Sequence, residues 1–208
     1  RGQRFHFKFP VLGKHHAKIF LAALLAAEVC GVPVRDGIRY LKDFSFQPGR
    51  FSKLEGKNGS IILDSSYNAS PETMSSALQT LQEIPAKRRI AVLGNMNELG
   101  KESERHHRGI GREVPKSCEY LITVGEQAKW ISEEAQRCGM PSQAVRVLQN
   151  SDEAAKFLEN FLCEGDVILF KGSQNLVRLE KAIVQVLADP SLASEVLTRQ
   201  EPEWLRKT

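Results

Sequence analysis

The sequence predicts an α/β protein with a doubly wound, mainly parallel sheet, and two observations support this fold class. From about residue 48 to about residue 188, short apolar segments alternate strictly with segments of helical periodicity. Short apolar strands joined by helices indicate right-handed crossover connections and a parallel sheet covered on both faces. In addition, hydrogen-bonding residues and glycines follow several of the apolar segments, at the sheet edge where such folds bind ligands.

The individual elements follow from spacing and from helix-start signals. The apolar segments predict strands at 60–64, 89–93, 120–124, 144–148 and 166–170. In the helix that follows the first strand, apolar residues fall on one face at helical spacing: Met74, Ala77, Leu78, Leu81 and Ile84. Ser70 is predicted to be its N-cap, with Pro71 at the first helical position. Ser151 is predicted to cap a second helix, and further helices are predicted at 102–114, 127–138 and 176–187.

The first 47 residues predict a strand followed by two helices. In the segment 4–13, Phe5, Phe7 and Phe9 alternate with polar residues, which is the period of a strand with one apolar face. The segment 15–31 is apolar on nearly every side and predicts a buried helix, and 34–44 predicts an amphipathic helix. One strand and two helices cannot bury these faces by themselves, so we expect a remnant of another domain. The exposed edge of this strand makes a dimer possible.

Composition narrows the class of protein. The 208 residues carry a formal charge of +4, and 41% are hydrophobic. This mildly basic balance suits anionic small molecules, whereas the sequence lacks the Lys/Arg blocks with interleaved aromatics that favour nucleic-acid binding. The four cysteines have neither zinc nor disulfide-framework spacing, and the adjacent histidines do not share a helix face. The longest apolar run, 19–29, is too short to span a bilayer. We therefore expect a cytoplasmic protein without a membrane partner or a histidine-bound metal.

Candidate site residues lie after the predicted strands. The first strand ends in "DSSYNASP" (64–71), the second in "GNMNELG" (94–100) and the last in "FKGSQN" (170–175). Glycines at these positions allow the backbone to approach a ligand closely, and helix N-termini favour anions. Neither G-x-G-x-x-G nor G-x-x-x-x-G-K-[ST] occurs, so neither standard nucleotide cradle is present.

The ordered set of these motifs resembles the C-terminal domain of the Mur ligase family. The motifs are "SYNASPETMSSAL", "RIAVLGNMNELG" followed by His107, and "ILFKGS". Within the family they are most similar to the branch that adds D-alanyl-D-alanine to UDP-N-acetylmuramoyl-tripeptide. The segment 11–32 resembles the end of the family's ATP-binding central domain, and "PGRF" (48–51) resembles its inter-domain hinge. The resemblance thus implies two parts: 1–47 as the end of the central domain and 48–188 as a Rossmann-like C-terminal domain. The polar composition of 189–208 indicates a peripheral tail, either a helix or partly disordered.

The resemblance implies an ATP-dependent ligase of peptidoglycan synthesis. Such an enzyme activates a carboxylate as an acyl phosphate, which an amine then attacks to form an amide. ATP and Mg²⁺ belong to the complete enzyme, and its partners are the missing N-terminal and central domains, the UDP-muramoyl-peptide and D-alanyl-D-alanine. The phosphate loop and magnesium ligands of the family do not lie among these residues. We therefore expect this chain to be inactive alone, to bind no cofactor tightly and to contain no catalytic residue.

The resemblance also implies roles for individual residues. On the nucleotide side, Arg50 would contact the ATP phosphates. The remaining nucleotide-side residues are Asp64, Tyr67, Asn68 and His16. On the substrate side the residues are Lys171, Ser173, Asn95, Glu98 and His107. Six of these residues have structural alternatives. Arg50 could be a solvated hinge residue, Asp64 a turn residue and Asn68 a partner of local backbone groups. Lys171 could be a solvated lysine, Glu98 a partner of a neighbouring backbone amide and His107 an exposed helix histidine.

The sequence departs from the family pattern at several positions. His16 and Ile19 stand where the family has asparagines, Asn95 replaces an aspartate, and Ser65 replaces the second of two acids. These changes favour an alternative hypothesis, a non-catalytic binding module that has kept the fold. Another alternative is a different branch of the superfamily, such as a glutamate-adding ligase acting on folate. The "SYNASP" stretch favours the D-alanyl-D-alanine branch, because the other branches usually carry a histidine near that asparagine.

Overall fold

The computed structural model describes residues 3–9, 11–14 and 16–206. The chain divides into two compact units, residues 1–46 and residues 47–208. The predicted fold class is confirmed: the second unit contains a six-stranded, mostly parallel sheet with helices around it.

The first unit contains two helices, α1 (His16–Val29) and α2 (Val34–Leu41). Residues 3–9 and 11–14 form no strand, so the predicted Phe strand is wrong. A strand needs a hydrogen-bonded partner, and the described part of this unit offers none. The aromatic side chains cluster instead, with Phe9 4.3 Å from Phe20 and 4.8 Å from Phe7 between ring centroids. The proposed dimer through this strand therefore loses its basis.

Helix α1 is not the buried helix that its composition predicts. Phe20 and Leu24 are buried, but Leu25 is 63% exposed and Val29 is 89% exposed. Thus no described part of the chain covers the face on which these two residues lie. The contact with α2 is close, because a Cβ added to Gly37 would stand 2.8 Å from Leu24.

The sheet of the second unit has the order β1-β2-β6-β3-β4-β5. The strands are β1 (Ser52–Gly56), β2 (Ser60–Ser65), β3 (Arg88–Gly94), β4 (Tyr120–Val124), β5 (Val145–Leu148) and β6 (Asp166–Lys171). Strand β1 pairs antiparallel with β2, and the other pairs are parallel. All five predicted strands are present. Strand β1, "SKLEG", was not predicted because it has one strongly apolar residue.

Seven helices of this unit are described. They are α3 (Pro71–Glu83), α4 (Ser103–Ser117), α5 (Lys129–Arg137), α6 (Ser151–Phe161), α7 (Leu179–Val186), α8 (Ala193–Val196) and α9 (Pro202–Leu205). Within the described residues, no helix of either unit is both long and apolar enough to cross a membrane.

The caps of two helices test the predicted helix starts. Ser70 caps α3 as predicted: its Oγ accepts from the Thr73 amide, and the Thr73 hydroxyl accepts from the Ser70 amide at 2.9 Å. Ser151 does not cap α6. The carboxamide of Asn150 caps this helix by accepting from the Glu153 amide at 2.9 Å. Ser151 is buried, and its hydroxyl donates to the Arg178 carbonyl at 2.9 Å.

Alternating residues of the strands face opposite sides of the sheet. On one side, Ile62, Ile90, Ile168 and Phe170 form a core with the apolar faces of α6 and α7. The intervening residues are buried on the other side, where α3, α4 and α5 pack in sequence. Burial on both sides explains why these strands read as continuous apolar runs.

The segment after residue 188 is not wholly peripheral. Leu197 is 3% exposed and Arg199 is 5% exposed, so this stretch returns to the body of the unit. Beyond it, α9 brings Trp204 near Arg178, whose guanidinium donates to the Trp204 carbonyl at 2.6 Å. The polar composition of the segment concealed these contacts.

Candidate functional site

The parallel register of three strands places their carboxyl ends at one edge of the sheet. Lys171, the last residue of β6, is paired with Ser65 of β2 on one side and with Leu93 of β3 on the other. The segments that follow β2, β6 and β3 therefore begin side by side. These segments, together with the ends of the strands before them, contain seven of the ten predicted site residues.

Lys171 is buried at the centre of this edge. Its side chain is nearly inaccessible, and Nζ donates to Ser65 Oγ and to the Asn68 carbonyl, both at 3.1 Å. Burial and, to a smaller extent, the positive charge of Arg50 lower the pKa of Lys171 to about 8, although the charge of Asp64 opposes both effects. The ammonium group is therefore mostly protonated at neutral pH.

Asp64 is also fully buried, and its carboxylate is incompletely hydrogen-bonded. Oδ1 accepts from the Ser66 amide at 2.9 Å, whereas Oδ2 and the Ser66 hydroxyl have no hydrogen-bond partner among the described residues. Burial raises the pKa of Asp64 to about 6. Hydrogen bonding from Ser66 lowers this pKa, while the nearby charge of Glu180 raises it. A carboxylate held in this way costs stability at neutral pH.

Ser173 joins the three strand-end segments. Its amide donates to the Asn95 carbonyl at 2.8 Å, and its hydroxyl accepts from the Asn97 amide at 2.9 Å and donates to the Ala69 carbonyl at 3.3 Å. These contacts require a close approach between β3 and β6, since a Cβ added to Gly172 would stand 3.1 Å from the Gly94 Cα. Ser173 thus holds the site together.

Asn95 and Glu98 lie on the segment after β3 but differ in their surroundings. Asn95 is buried, and its carboxamide oxygen accepts from the Ala128 amide at 2.9 Å, just before α5. This oxygen is therefore used within the fold. Glu98 is exposed and adopts a φ of 66°, in the left-handed region. The structure does not bring Glu98 into the group around Lys171.

His107 is a buried structural residue, so neither of its two predicted roles describes it. Its Nε2 accepts from the Met96 amide at 2.9 Å, and its Nδ1 donates to the Ser103 carbonyl at 2.7 Å. Burial lowers the pKa of His107, which keeps the ring neutral with its proton on Nδ1. The imidazole supports the segment after β3 from within α4 and has no accessible surface for a substrate.

We predict that His107→Leu lowers the free energy of unfolding by about 1–3 kcal/mol, because it leaves the buried Met96 amide without an acceptor. The measurement is urea unfolding at pH 7.5, with amide exchange of Met96 followed by NMR. His106→Leu, at the neighbouring half-buried histidine, is the control. If both variants unfold at the same urea concentration, the His107 hydrogen bonds do not stabilise the segment.

Arg50 and Tyr67 form the exposed part of the site. The Arg50 guanidinium lies 4.0 Å from the centroid of the Tyr67 ring, and the Tyr67 amide donates to the Gly49 carbonyl at 3.1 Å. Gly49 has a φ of 75°, and a Cβ there would stand 3.1 Å from the Tyr67 nitrogen. The Asn68 side chain is exposed nearby, while its carbonyl accepts from Lys171.

His16 lies in the first unit rather than in the sheet-bearing unit. It is buried at the start of α1, where Nδ1 donates to the Leu12 carbonyl at 2.6 Å and the ring stands 4.4 Å from Phe46. Burial lowers the pKa of His16, and the bond to Leu12 opposes this effect.

A buried charge cluster behind Tyr67 was not predicted from the sequence. Glu180 is fully buried, and its two carboxylate oxygens accept from Arg178 at 2.9 Å and from Arg199 at 3.2 Å. Arg199 also donates to the Tyr67 carbonyl at 2.6 Å. Arg178, Glu180 and Arg199 are charged and lie more than 100 residues from Tyr67 in the sequence. Local periodicity therefore gives no signal that this cluster packs against Tyr67.

The arrangement is suited to binding anions. Arg50 has an exposed guanidinium group, and the ammonium group of Lys171 is buried near it. The N-terminus of α3, which is capped by Ser70, lies at the same edge of the sheet. Arginine, lysine and helix N-termini are the groups that bind phosphates and carboxylates. The carboxylate of Asp64 is fully buried in this unit, so it cannot contact a ligand directly. The fold thus defines an α/β domain with cationic groups at the edge where its parallel strands end.

Comparison with known proteins places this domain in a family. The model of the family described as "Mur ligase, glutamate ligase domain" matches residues 49–174. The chain therefore belongs to the Mur ligase family, as the motif resemblance predicted.

The more similar relatives share one name. The UDP-N-acetylmuramoyl-tripeptide–D-alanyl-D-alanine ligase of Bacillus subtilis is 28% identical over 186 residues, which cover 88% of this chain and 40% of the relative. The ligase of the same name from Mycobacterium bovis is 30% identical, covering 90% of this chain and 40% of the relative. The structure of MurF ligase from Thermotoga maritima in complex with ADP is 28% identical with a TM-score of 0.73, covering 87% of this chain and 40% of that one. The chain thus spans about 40% of the length of these relatives.

Proposed function

We propose that this chain is the part of an ATP-dependent ligase of peptidoglycan synthesis that binds D-alanyl-D-alanine and contributes to the nucleotide site. The complete enzyme would join this dipeptide to UDP-N-acetylmuramoyl-tripeptide. The observation that carries the proposal is the pair of cations, exposed Arg50 and buried Lys171, at the edge of the sheet where the parallel strands end. The similar proteins of the family that bear the name of this enzyme support it. The ADP named in the Thermotoga maritima structure supports the nucleotide part.

The proposed roles follow from charge and from position at the edge where the parallel strands end. Arg50, held against the Tyr67 ring, would pair with nucleotide phosphates, and Tyr67 and Asn68 would contact the same ligand. On the substrate side, Lys171 would attract the terminal carboxylate of the dipeptide through its charge. Ser173, whose hydroxyl donates to the Ala69 carbonyl, would hold the strand-end segments that line this side of the site. ATP, when bound, supplies the phosphoryl group that activates the carboxylate of the tripeptide. The residues of this chain orient the amine and its nucleotide neighbour.

The described residues do not fit a magnesium site of their own. Asp64 is the acid of the strand-end group, and its carboxylate is fully buried. Among the described residues there is also no cluster of three or more His, Cys, Asp or Glu side chains able to hold a metal. In the proposed enzyme, residues 1–47 would complete the ATP-binding domain and 48–188 would form the C-terminal domain. Its soluble nucleotide-linked substrates would place it in the cytoplasm.

A non-catalytic binding module is the second candidate. His16, which replaces a family asparagine, is buried among aromatic residues, and the carboxamide oxygen of Asn95 is used within the fold. Both observations are consistent with loss of ligand contacts. A titration of this chain with D-alanyl-D-alanine and with ADP separates the two candidates, because a module that has lost these ligand contacts would bind neither ligand.

We predict that Lys171→Met weakens the binding of D-alanyl-D-alanine about 10- to 100-fold, the effect of losing a hydrogen bond to a charged group. The measurement is a ¹H–¹⁵N NMR titration of the chain with the dipeptide and separately with ADP. The dipeptide is expected to shift the Ser173 and Asn97 amides, and ADP to shift Arg50 and Tyr67.

Lys53→Met, at an exposed lysine of β1, is the matched control. The ADP response of Lys171→Met should persist, which shows that the fold is retained. Equal dipeptide affinity in the two lysine variants would contradict the proposed role of Lys171. An absence of any dipeptide response in the parent chain would contradict the proposed function itself.

A further inference from the structure

The segment 65–70, which presents Tyr67 and Asn68, is held by two cations that lie more than 100 residues further along the chain. Arg199 donates to the Tyr67 carbonyl at 2.6 Å, and Lys171 donates to the Asn68 carbonyl at 3.1 Å. Both cations are buried, with 5% and 3% of their surface exposed. Two consecutive carbonyls are thus fixed by charge-assisted hydrogen bonds, which are stronger than neutral ones.

Arg199 is itself fixed in place. Glu180 accepts from it at 3.2 Å, and the other oxygen of Glu180 accepts from Arg178 at 2.9 Å. The backbone of Arg199 has a φ of 59°, a left-handed conformation that is costly for a residue with a side chain. Such conformations persist where surrounding contacts over-determine them. Here the buried ion pair and the bond to Tyr67 are those contacts.

The same side chain reaches the aromatic part of the site. The Arg199 guanidinium lies 5.3 Å from the centroid of the Tyr67 ring, on which the Arg50 guanidinium also lies, at 4.0 Å. A surface cavity of about 450 Å³ adjoins Tyr67, with Pro48, Leu197 and Arg199 in its walls. The position of Tyr67, and through it the position of Arg50, therefore depends on the C-terminal segment.

We propose that Arg199 is a positioning residue: from the C-terminal segment it fixes the Tyr67 carbonyl so that Tyr67 and Arg50 are set to bind a nucleoside diphosphate or triphosphate. This inference rests on the proposed function and adds a residue outside the family match, which ends at residue 174. Arg199 does not need to touch the ligand. On the dipeptide side, Lys171 bonds to Ser65 and Ser173 bonds to Asn95, Asn97 and Ala69. These bonds do not involve Arg199, so the dipeptide side of the site should be little affected when Arg199 is replaced.

The test compares Arg199→Met with Arg199→Lys and with Arg206→Met, the same substitution at an exposed arginine of the same segment. The first measurement needs no ligand. It is amide exchange of Tyr67, whose N–H bonds to the Gly49 carbonyl. Exchange should be about tenfold faster in Arg199→Met than in Arg206→Met at a temperature where both are folded, and Arg199→Lys should recover part of the protection.

The second measurement is the affinity for ADP and for D-alanyl-D-alanine by NMR titration. In Arg199→Met, ADP binding should weaken about tenfold, because the charge-assisted bond from Arg199 to the Tyr67 carbonyl is lost on the nucleotide side. Dipeptide binding should change less than about threefold, because no bond is lost on the dipeptide side. A residue that only stabilises the fold would alter neither affinity below the unfolding transition.

The two proposals fail in different ways. Tyr67 exchange in Arg199→Met equal to that in Arg206→Met overturns the positioning role, whatever the ligands do. Equal losses of ADP and dipeptide affinity also overturn it, because they indicate general loosening. If the parent chain binds no ADP but Tyr67 exchange responds as expected, the nucleotide part of the proposed function fails and the fixing of Tyr67 by Arg199 is supported.

Discussion

Glu180→Ala is expected to lower the free energy of unfolding by about 3–5 kcal/mol, the usual cost of removing one member of a buried ion cluster. Glu180 is fully buried between Arg178 and Arg199, whose side chains are 7% and 3% exposed. Without the carboxylate, two guanidinium groups remain buried with no countercharge between them. The large cost therefore comes from the arginines that are left.

The measurement is urea unfolding at pH 7.5 in moderate salt. Glu203→Ala, at an exposed glutamate of α9, is the control and should change stability by less than about 0.5 kcal/mol. A loss below about 1 kcal/mol for Glu180→Ala would show that the arginines find water or other acceptors, and that the cluster does not anchor the C-terminal segment.

Relative to the parent chain, Asp64→Asn is expected to gain about 2 kcal/mol in free energy of unfolding as the pH rises from 4 to 7. Burial raises the pKa of Asp64 from 3.8 to about 6, so the folded state binds more protons than the unfolded state between these values. The stability that Asp64 contributes is complete below pH 3.8 and is lost as the pH rises through 6. Asparagine is neutral throughout and does not lose it.

The difference in unfolding free energy between variant and parent isolates this effect. Lys171 stays mostly protonated in the folded parent throughout this pH range, because its pKa is about 8. Asp64 raises that pKa, so the variant lowers it, and the difference between variant and parent is read most cleanly below about pH 6. The lowered pKa of His107 affects variant and parent alike and cancels in the difference. Asp152→Asn, at an exposed aspartate, should show a nearly constant difference. A constant difference for Asp64→Asn as well would mean that water reaches the Asp64 carboxylate in solution.

The strands were predictable because burial on both faces leaves a strong local signal. "SIILDS" contains three consecutive apolar residues and "DVILFK" contains four, and the structure buries nearly all residues of both strands. The start of α3 was also predictable, because capping by Ser70 and the position of Pro71 depend on residues that are close in sequence. Strand β1 was not predictable, because it is held by pairing with β2 at the sheet edge rather than by its own apolar side chains.

Part of the candidate site was also predictable. Asp64, Lys171 and Ser173 directly follow or end apolar strands, and parallel strands bring such residues to one edge. His107 was placed wrongly, because its two backbone partners, 4 and 11 residues away, become visible once the segment after β3 folds onto α4. Arg199 was missed because its partner Tyr67 lies 132 residues away.

The sequence by itself determined the alternation of strands and helices, because this alternation depends on local periodicity. It also placed polar residues after the strands, and its ordered motifs indicated the family of the chain. The tertiary structure decided which of those groups face solvent and which support the fold. It withdrew His107 into α4, buried Asp64 without a full set of hydrogen-bond donors, and brought Arg199 to Tyr67. Burial and long-range hydrogen bonds arise from the packing of distant segments, and no local pattern records them.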